Sequence, residues 1–190
     1  MPKPPAKRTR IKPKRSKTAP VAGPKADRPF APGYGIVGSA EGDGLLPWSW
    51  VAKKLNGCRT FWLATVYAGE GRPHVMPVWG VWLEEAFFFS TGRKSRKGQN
   101  LAANPSCTIT NDDGEEAVIV EGSATIVEVA AKLERVALAY KKKYKMDPRG
   151  MGEPIVEVAP RRVFGFVEKS FPRSATRWKL QARNLPPPPR

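Results

Sequence analysis

Between residues 60 and 168 the apolar positions recur largely with a period of two, and short clusters of glycine, proline, asparagine and aspartate interrupt them. Thr60 to Ala68, rich in aromatic and β-branched residues, predicts a strand, and Gly69-Glu70-Gly71 turns the chain into a second from Pro73 to Leu83. Glu84-Glu85 lead into a third, Ala86 to Thr91. Ser106 to Asn111 and Ala117 to Val129 predict two more around the turn Asp112-Asp113-Gly114. A sixth spans Ile155 to Glu168 with an interruption near Pro160, and Ala175 to Leu180 adds a last extended piece.

Helical spacing replaces this alternation in three places. Trp48, Val51, Ala52 and Leu55 share a face behind Pro47, which suits a first turn, and Asn56-Gly57 stops the run. A short helix over about Arg96 to Asn104 is stopped by Pro105. Leu133, Val136, Ala137, Tyr140 and Tyr144 share a face of the third. Lys141, Lys142, Lys143 and Lys145 crowd its C-terminal end, where the helix dipole favours cations, so this is a docking helix and not a basic binding patch. Six short, mostly antiparallel strands with two or three flanking helices predict a small closed or half-open barrel, mainly β with α (α+β).

One strand departs from the pattern. Val75-Met76-Pro77-Val78-Trp79-Gly80-Val81-Trp82-Leu83 is apolar on both faces, so both require cover. One face fills the barrel; the other needs the domain's own helices, a partner subunit or a ligand. Pro77 and Gly80 break the ladder where another group can approach closely.

Charge alters the picture less than its total suggests. The 190 residues carry 33 Lys and Arg against 17 Asp and Glu, a formal charge of +16, which first suggests a nucleic-acid binder. Residues 1 to 29 hold ten of the cations against Asp27 alone, and residues 172 to 190 hold five against none, so the folded part is near neutral. Residues 1–40, with eight prolines and almost no large apolar side chain before Phe30, are expected to form a disordered basic tail. Residues 41–180 form the barrel domain, and 181–190, containing Pro186 to Pro189, a proline-rich end. Lys7 to Lys17 offers weak, nonspecific contact with nucleic acid, or a nuclear or organellar address, against the simpler reading of a solvated tail. Cys58 and Cys107 lack disulfide or zinc spacing and are expected as buried reduced thiols. No apolar run approaches membrane-spanning length, and the basic N-terminus lacks a secretory signal's hydrophobic segment, so cytoplasm is the expected location.

The segment Ser90-Thr91-Gly92-Arg93-Lys94-Ser95-Arg96-Lys97 carries the sharpest chemistry. Four cations sit at the start of a helix, where its dipole opposes them unless an anion lies among them. A phosphate resolves the conflict: Ser95 caps the helix, the free amides of the first turn face the oxygens, and the Ser90 and Thr91 hydroxyls complete the cradle. A solvated basic loop is the plainer alternative on this segment alone.

Further strings change that balance. Trp62-Leu63-Ala64-Thr65-Val66, Gly71-Arg72-Pro73-His74, Pro77-Val78-Trp79, Phe89-Ser90-Thr91, Ser95-Arg96-Lys97, Asn104-Pro105 and Val120-Glu121-Gly122 resemble, in order and spacing, the pyridoxamine-5′-phosphate-oxidase-like split β-barrels. Leu46-Pro47-Trp48-Ser49-Trp50, Asn100-Leu101-Ala102-Ala103 and Ala175-Thr176-Arg177-Trp178 are similar to the flavin/deazaflavin oxidoreductase branch. The resemblance covers about residues 45 to 180. It implies a six-stranded antiparallel split β-barrel, a homodimer, and two cofactor sites at the subunit interface. It also implies a cofactor that is either the deazaflavin coenzyme F-420 or FMN. Phosphate contacts are implied for Ser90, Thr91, Arg96 and Lys97, and the ring system is implied along Val75, Met76, Pro77, Val78, Trp79 and Gly80. Arg177 and Trp178 match a motif near the site. Two departures stand against oxidation of pyridoxamine phosphate itself: Ala117 falls where those oxidases carry Gln, and no His follows His74 to supply their C-terminal Arg-x-His.

His74, the chain's one imidazole, is the candidate catalytic residue: it either stands above the cofactor as a proton donor or caps a surface strand. No nucleophile triad or carboxylate pair is recognisable, which suits a site where the cofactor carries the hydride. The expected activity is therefore hydride transfer from a reduced deazaflavin to a small unsaturated substrate, with an FMN-dependent reductase or oxidase as the alternative. A noncatalytic haem or flavin carrier tethered to nucleic acid by its basic tail is the alternative of another class.

Overall fold

Alternating aromatic and β-branched residues do form strands, and the computed structural model, which describes residues 23–36 and 44–180, arranges them in one antiparallel sheet. The strands are β1 (Ala26–Asp27), β2 (Phe61–Val66), β3 (Pro73–Val78), β4 (Gly80–Leu83), β5 (Ala86–Ser90), β6 (Ser106–Asn111), β7 (Glu116–Ile126), β8 (Ile155–Val167) and β9 (Thr176–Lys179). The helices are α1 (Trp48–Gly57), α2 (Arg96–Ala103), α3 (Ala130–Tyr144) and the single turn α4 (Phe171–Ser174). The order is β1-β9-β8-β7-β6-β2-β3, with β4 paired to β5 and β5 to β8. The run 73–83 thus meets β2 through its first half and β5 through its second. The sheet curls round without closing as one ladder, a split barrel.

Nine strands appear where six are expected, for identifiable reasons. The run 73–83 leaves the ladder at Trp79: Val78 pairs with Phe61, and Gly80 with Phe89 on the other neighbour. A Cβ on Gly80 would lie 2.2 Å from the Phe87 ring, so only glycine fits this crossing. The C-terminal piece is a true strand, β9. The third addition corrects the expected tail. Residues 23–36 belong to the described fold: β1 pairs with β9, Pro29 is buried, and the Asp27 carboxylate accepts from Arg177 Nε and Nη2 at 2.7 and 2.8 Å. That bidentate pair, with Lys179 alongside, lets a two-residue strand dock with only Ala26 as its apolar contact. The rest of the expected tails, 1–22, 37–43 and 181–190, lies outside the described residues.

The interruption expected near Pro160 is a bulge between Glu121 and Gly122 of β7 opposite Pro160–Arg162 of β8. It lets β8 pair with β5 over Ile155–Val158 and with β9 over Arg162–Gly165. Two cores result. Phe61, Leu63, Phe87, Phe89, Ile109, Val120, Val158 and Val163 fill the barrel, and Val51 and Leu55 of α1 pack against them. Val136, Tyr140 and Tyr144 of α3 cover Val81, Phe88 and Ile155 on the outside. Cys107 sits in the barrel, where burial pushes its thiol up to about 12; Cys58 is half-buried, its thiol 2.8 Å from the Thr60 carbonyl.

Candidate functional site

β5 delivers Ser90 and Thr91 to the Gly92–Ser95 turn, and α2 begins at once. Ser95 has the extended backbone of an N-cap; its Oγ accepts from Gly98 N–H at 3.2 Å and donates to the Gly92 carbonyl at 2.7 Å. A Cβ on Gly98 would lie 2.3 Å from that carbonyl, so glycine is what brings the first turn of α2 against the loop. Ser90 Oγ and the Thr91 amide both donate to the Pro154 carbonyl, tying the loop to the start of β8. Among the described residues no acid forms an ion pair with Arg93, Lys94, Arg96 or Lys97. The Glu153 carboxylate is packed against Gly92 but bridges none of them. A cluster of four unpaired cations at a helix start is stable only with water or an anion between them.

α2 is fixed over the end of the barrel by a buried polar contact. Asn100, 1% exposed, donates from Nδ2 to Thr65 Oγ1 at 3.0 Å. Thr65 pairs across the ladder with His74, and Thr65 Oγ1 lies 3.4 Å from His74 Nδ1. The His74 ring meets Tyr67 edge-on at 5.7 Å, and the Arg96 guanidinium lies over the same Tyr67 ring at 4.9 Å. The basic loop and the start of β3, 22 positions apart from His74 to Arg96, therefore adjoin. Thr65, Tyr67 and Asn100 make that junction and are not identified by the sequence reading; Asn100 among Leu101 and Ala102 is the polar signal that could have marked it.

From this junction β3 carries an apolar strip along the outer face. Val75 is 52% exposed, Met76 at the edge 41%, and Trp79 45%; Pro77 is exposed, and Trp62 pairs with it from β2. Trp62 Nε1 donates to Asp112 Oδ1 at 2.8 Å, leaving its ring face open. The cover expected for both faces is thus divided. α3 covers the half at Val81 and one face of Trp79, while Val75 and Pro77 are bare in the single chain. Beside it a groove of about 570 Å³ runs over β2, β6 and β7, lined by Ala64, Val66, Thr108, Glu121 and Arg162 among others. A tighter cleft of about 220 Å³ lies behind the loop between Thr91, Arg93, Leu101, Ala124 and Val156.

Some expected site residues are placed elsewhere. Trp178, paired with Val163 on the inner face and 1% exposed, is barrel core, because the alternation that turns Arg177 outward turns Trp178 in. Val78 likewise faces the core, and Gly80 contributes only backbone. Arg177 lies on the outer face, engaged with Asp27, and β8, β7, β6 and β2 separate its strand from β3. It does not join the loop and β3 within one chain. Among the described residues no cluster of His, Cys, Asp and Glu could hold a metal, and no helix is long and apolar enough to cross a membrane.

A half-open antiparallel barrel with a capped basic loop abutting a bare apolar strand is the architecture of the split-barrel class. Residues 50–166, more than half of the chain, match the pyridoxamine 5′-phosphate oxidase family, and the chain belongs to it. Among solved structures it is similar to the conserved hypothetical protein Rv2991 of Mycobacterium tuberculosis: 25% identity, TM-score 0.59, covering 67% of this chain and 88% of that one. It is similar in fold to General Stress Protein 26 of Bacillus anthracis, with 20% identity, TM-score 0.51, and 62% and 91% of the two chains covered. A heme binding protein of Mycobacterium smegmatis shares the fold at 20% identity and TM-score 0.53, over 63% of this chain and 54% of that one. No curated protein matches the chain.

Proposed function

We propose that the chain is an oxidoreductase that binds a phosphate-bearing flavin-type cofactor between two copies of itself and passes a hydride to a small unsaturated substrate. The deazaflavin is favoured over FMN, because the strings that resemble its branch include the extended Leu46–Trp50 and Ala175–Trp178 motifs. The observation that carries the reading is the set of unpaired cations at the start of α2, joined through Tyr67 to His74 and the bare strip of β3. Arg96 and Lys97 would hold the phosphate, with the first-turn amides of α2 adding donors, and the Ser90 and Thr91 hydroxyls would turn to it from the Pro154 carbonyl and Ser95 Oγ. Val75, Met76, Pro77 and Trp79 would line the ring. The cofactor supplies the two-electron chemistry; the protein's part is to orient it and exclude water. His74, held between Thr65 and Tyr67, would deliver or take a proton at the substrate.

A homodimer completes this site. It would cover Trp62, Val75, Pro77 and Trp79, and it would be the route by which Arg177, with four strands between its own and β3 in one chain, reaches a ligand on the other's β3. The basic stretch Lys7 to Lys17 adds weak, salt-sensitive attraction to nucleic acid. The absorption spectrum and mass of the small molecule that co-purifies test the reading. A flavin or deazaflavin chromophore supports it, and a haem Soret band on His74 replaces it with the carrier alternative.

A further inference from the structure

Trp79 is the residue at which strand 73–83 changes partners, and it pairs with no strand: the β2 ladder ends at Val78 and the β5 ladder starts at Gly80. Its backbone is held instead by side chains of α3. Tyr140 Oη donates to the Trp79 carbonyl at 2.8 Å. The Gly80 amide donates to Tyr144 Oη at 2.9 Å, and the one Tyr144 hydroxyl proton lies between the Gly80 carbonyl at 2.8 Å and the Arg59 carbonyl at 2.7 Å. Lys143 Nζ donates to Gly80 O at 3.0 Å and Leu55 O at 3.2 Å. The Trp79 side chain is fixed as well. Its indole stacks on Tyr144 with centroids 5.0 Å apart and planes 4° apart, and the Arg59 guanidinium lies 5.1 Å from it.

Docking of α3 does not require this arrangement. Val136 and Ala137, fully buried, already seat the helix, and leucines at 140 and 144 would pack there without reaching the backbone. All three polar groups reach Trp79 or Gly80, tying them to the Arg59, Leu55 and Phe88 carbonyls as well, and the Trp79 side chain is 45% exposed, so its fixed orientation contributes little to the core. It matters to something that touches it from outside. Trp79 lies five residues along the strand from His74, about 17 Å at the rise of an extended chain, which suits the span from a phosphate to the far edge of a fused ring system.

We propose that Tyr140, Lys143 and Tyr144 are positioning residues of the cofactor site, holding Trp79 as a rigid aromatic plate at the end of β3 opposite the basic loop, against which the edge of the planar ring packs. This rests on the reading of a flavin-type cofactor along β3. Pre-organisation of this kind improves affinity by removing the cost of ordering the contact at binding.

The test is titration of the full-length protein with FMN and with the deazaflavin, read by flavin and tryptophan fluorescence, alongside thermal melts. Tyr144→Phe, which keeps the ring and removes the hydroxyl, and Lys143→Met should each weaken binding by about tenfold, with Lys143→Arg restoring most of it. Val136→Ala opens a cavity under α3 away from the clamp; it should lower the melting temperature at least as much and leave the dissociation constant within about twofold of wild type. Loss of affinity that follows melting temperature across all four variants overturns the proposal, because the trio is then only structural. Should the clamp variants fail to fold, Trp79→Leu, at an exposed position, must show the same tenfold loss, and unchanged binding in it overturns the proposal equally. Wild-type protein that binds neither cofactor overturns the underlying functional reading, a pattern distinct from variants that bind like a competent wild type.

Discussion

Replacing Lys97 with alanine separates a phosphate cradle from a solvated loop, because a cradle predicts a large loss of cofactor affinity without loss of stability and a solvated loop only a small loss of affinity. Lys97 lies in the first turn of α2, whose dipole disfavours it, and no described acid pairs with it. In the cofactor-free protein its removal should leave stability unchanged or raise it by about 0.3 to 1 kcal/mol. With cofactor present the change removes a charge-assisted hydrogen bond worth roughly 1.5 to 3 kcal/mol, so affinity should fall about ten- to a hundredfold. Arg96→Ala should lose a similar amount, in addition to its contact with Tyr67. Lys142→Ala, exposed on α3, is the charge-matched control and should be nearly silent. The assay is fluorescence titration at fixed ionic strength, since removing any cation weakens anion binding slightly through the general field. Equal, small losses in Lys97→Ala and Lys142→Ala would refute the placement of the phosphate.

The protein should sediment as a dimer at micromolar concentration with cofactor bound, because a monomer leaves Trp62, Val75 and Trp79 in water; a monomer there contradicts the shared site. Deleting residues 1–22 should leave the melting temperature unchanged while abolishing DNA retention at low salt, whereas deletion through residue 36 should lower it by removing β1. Asp27→Asn should mimic part of that loss. Arg177 holds the Asp27 carboxyl below its usual range, so the pair's contribution is present above the unfolded carboxylate pKa and is lost as pH falls through the folded value. Burial pushes the Lys143 ammonium down to about 8 from 10.5, so the unfolded chain binds more protons between those values and stability should rise with pH across that window. Lys143→Met should flatten the rise in denaturant melts, and an unchanged slope contradicts the assignment.

Much of this arrangement is legible in the chain itself. Alternation places the main strands, Ser95 announces its own cap, and of the two breaks expected in the doubly apolar run the one at Gly80 is found, next to the change of partners at Trp79, while Pro77 stays in the ladder opposite Trp62. What was hidden depends on contacts distant in sequence. An alanine and an aspartate among prolines carry no strand signal, and β1 exists because Ala26 meets the core and Asp27 meets Arg177. Trp178 belonged to a motif, yet only the register with Val163 shows that it faces inward. Tyr140 and Tyr144 were legible as apolar docking positions by their spacing; their hydroxyls reach Trp79 and Gly80, more than 60 positions away, and no local pattern reveals that.

The central claim is that the loop from Ser90 to Lys97 binds a phosphate on a ring-bearing cofactor. The most direct test is calorimetric titration of the cofactor-free protein with the deazaflavin and its phosphate-free core, and in parallel with FMN and riboflavin; each pair shares a ring system and differs by the phosphate-bearing tail. The expected result is one phosphate-bearing cofactor bound per chain, the deazaflavin by preference, with its phosphate-free counterpart at least about tenfold weaker and the difference largely abolished by Lys97→Ala. Equal affinity within both pairs, or a preference for the phosphate-bearing partner that survives Lys97→Ala and Arg96→Ala together, would contradict it.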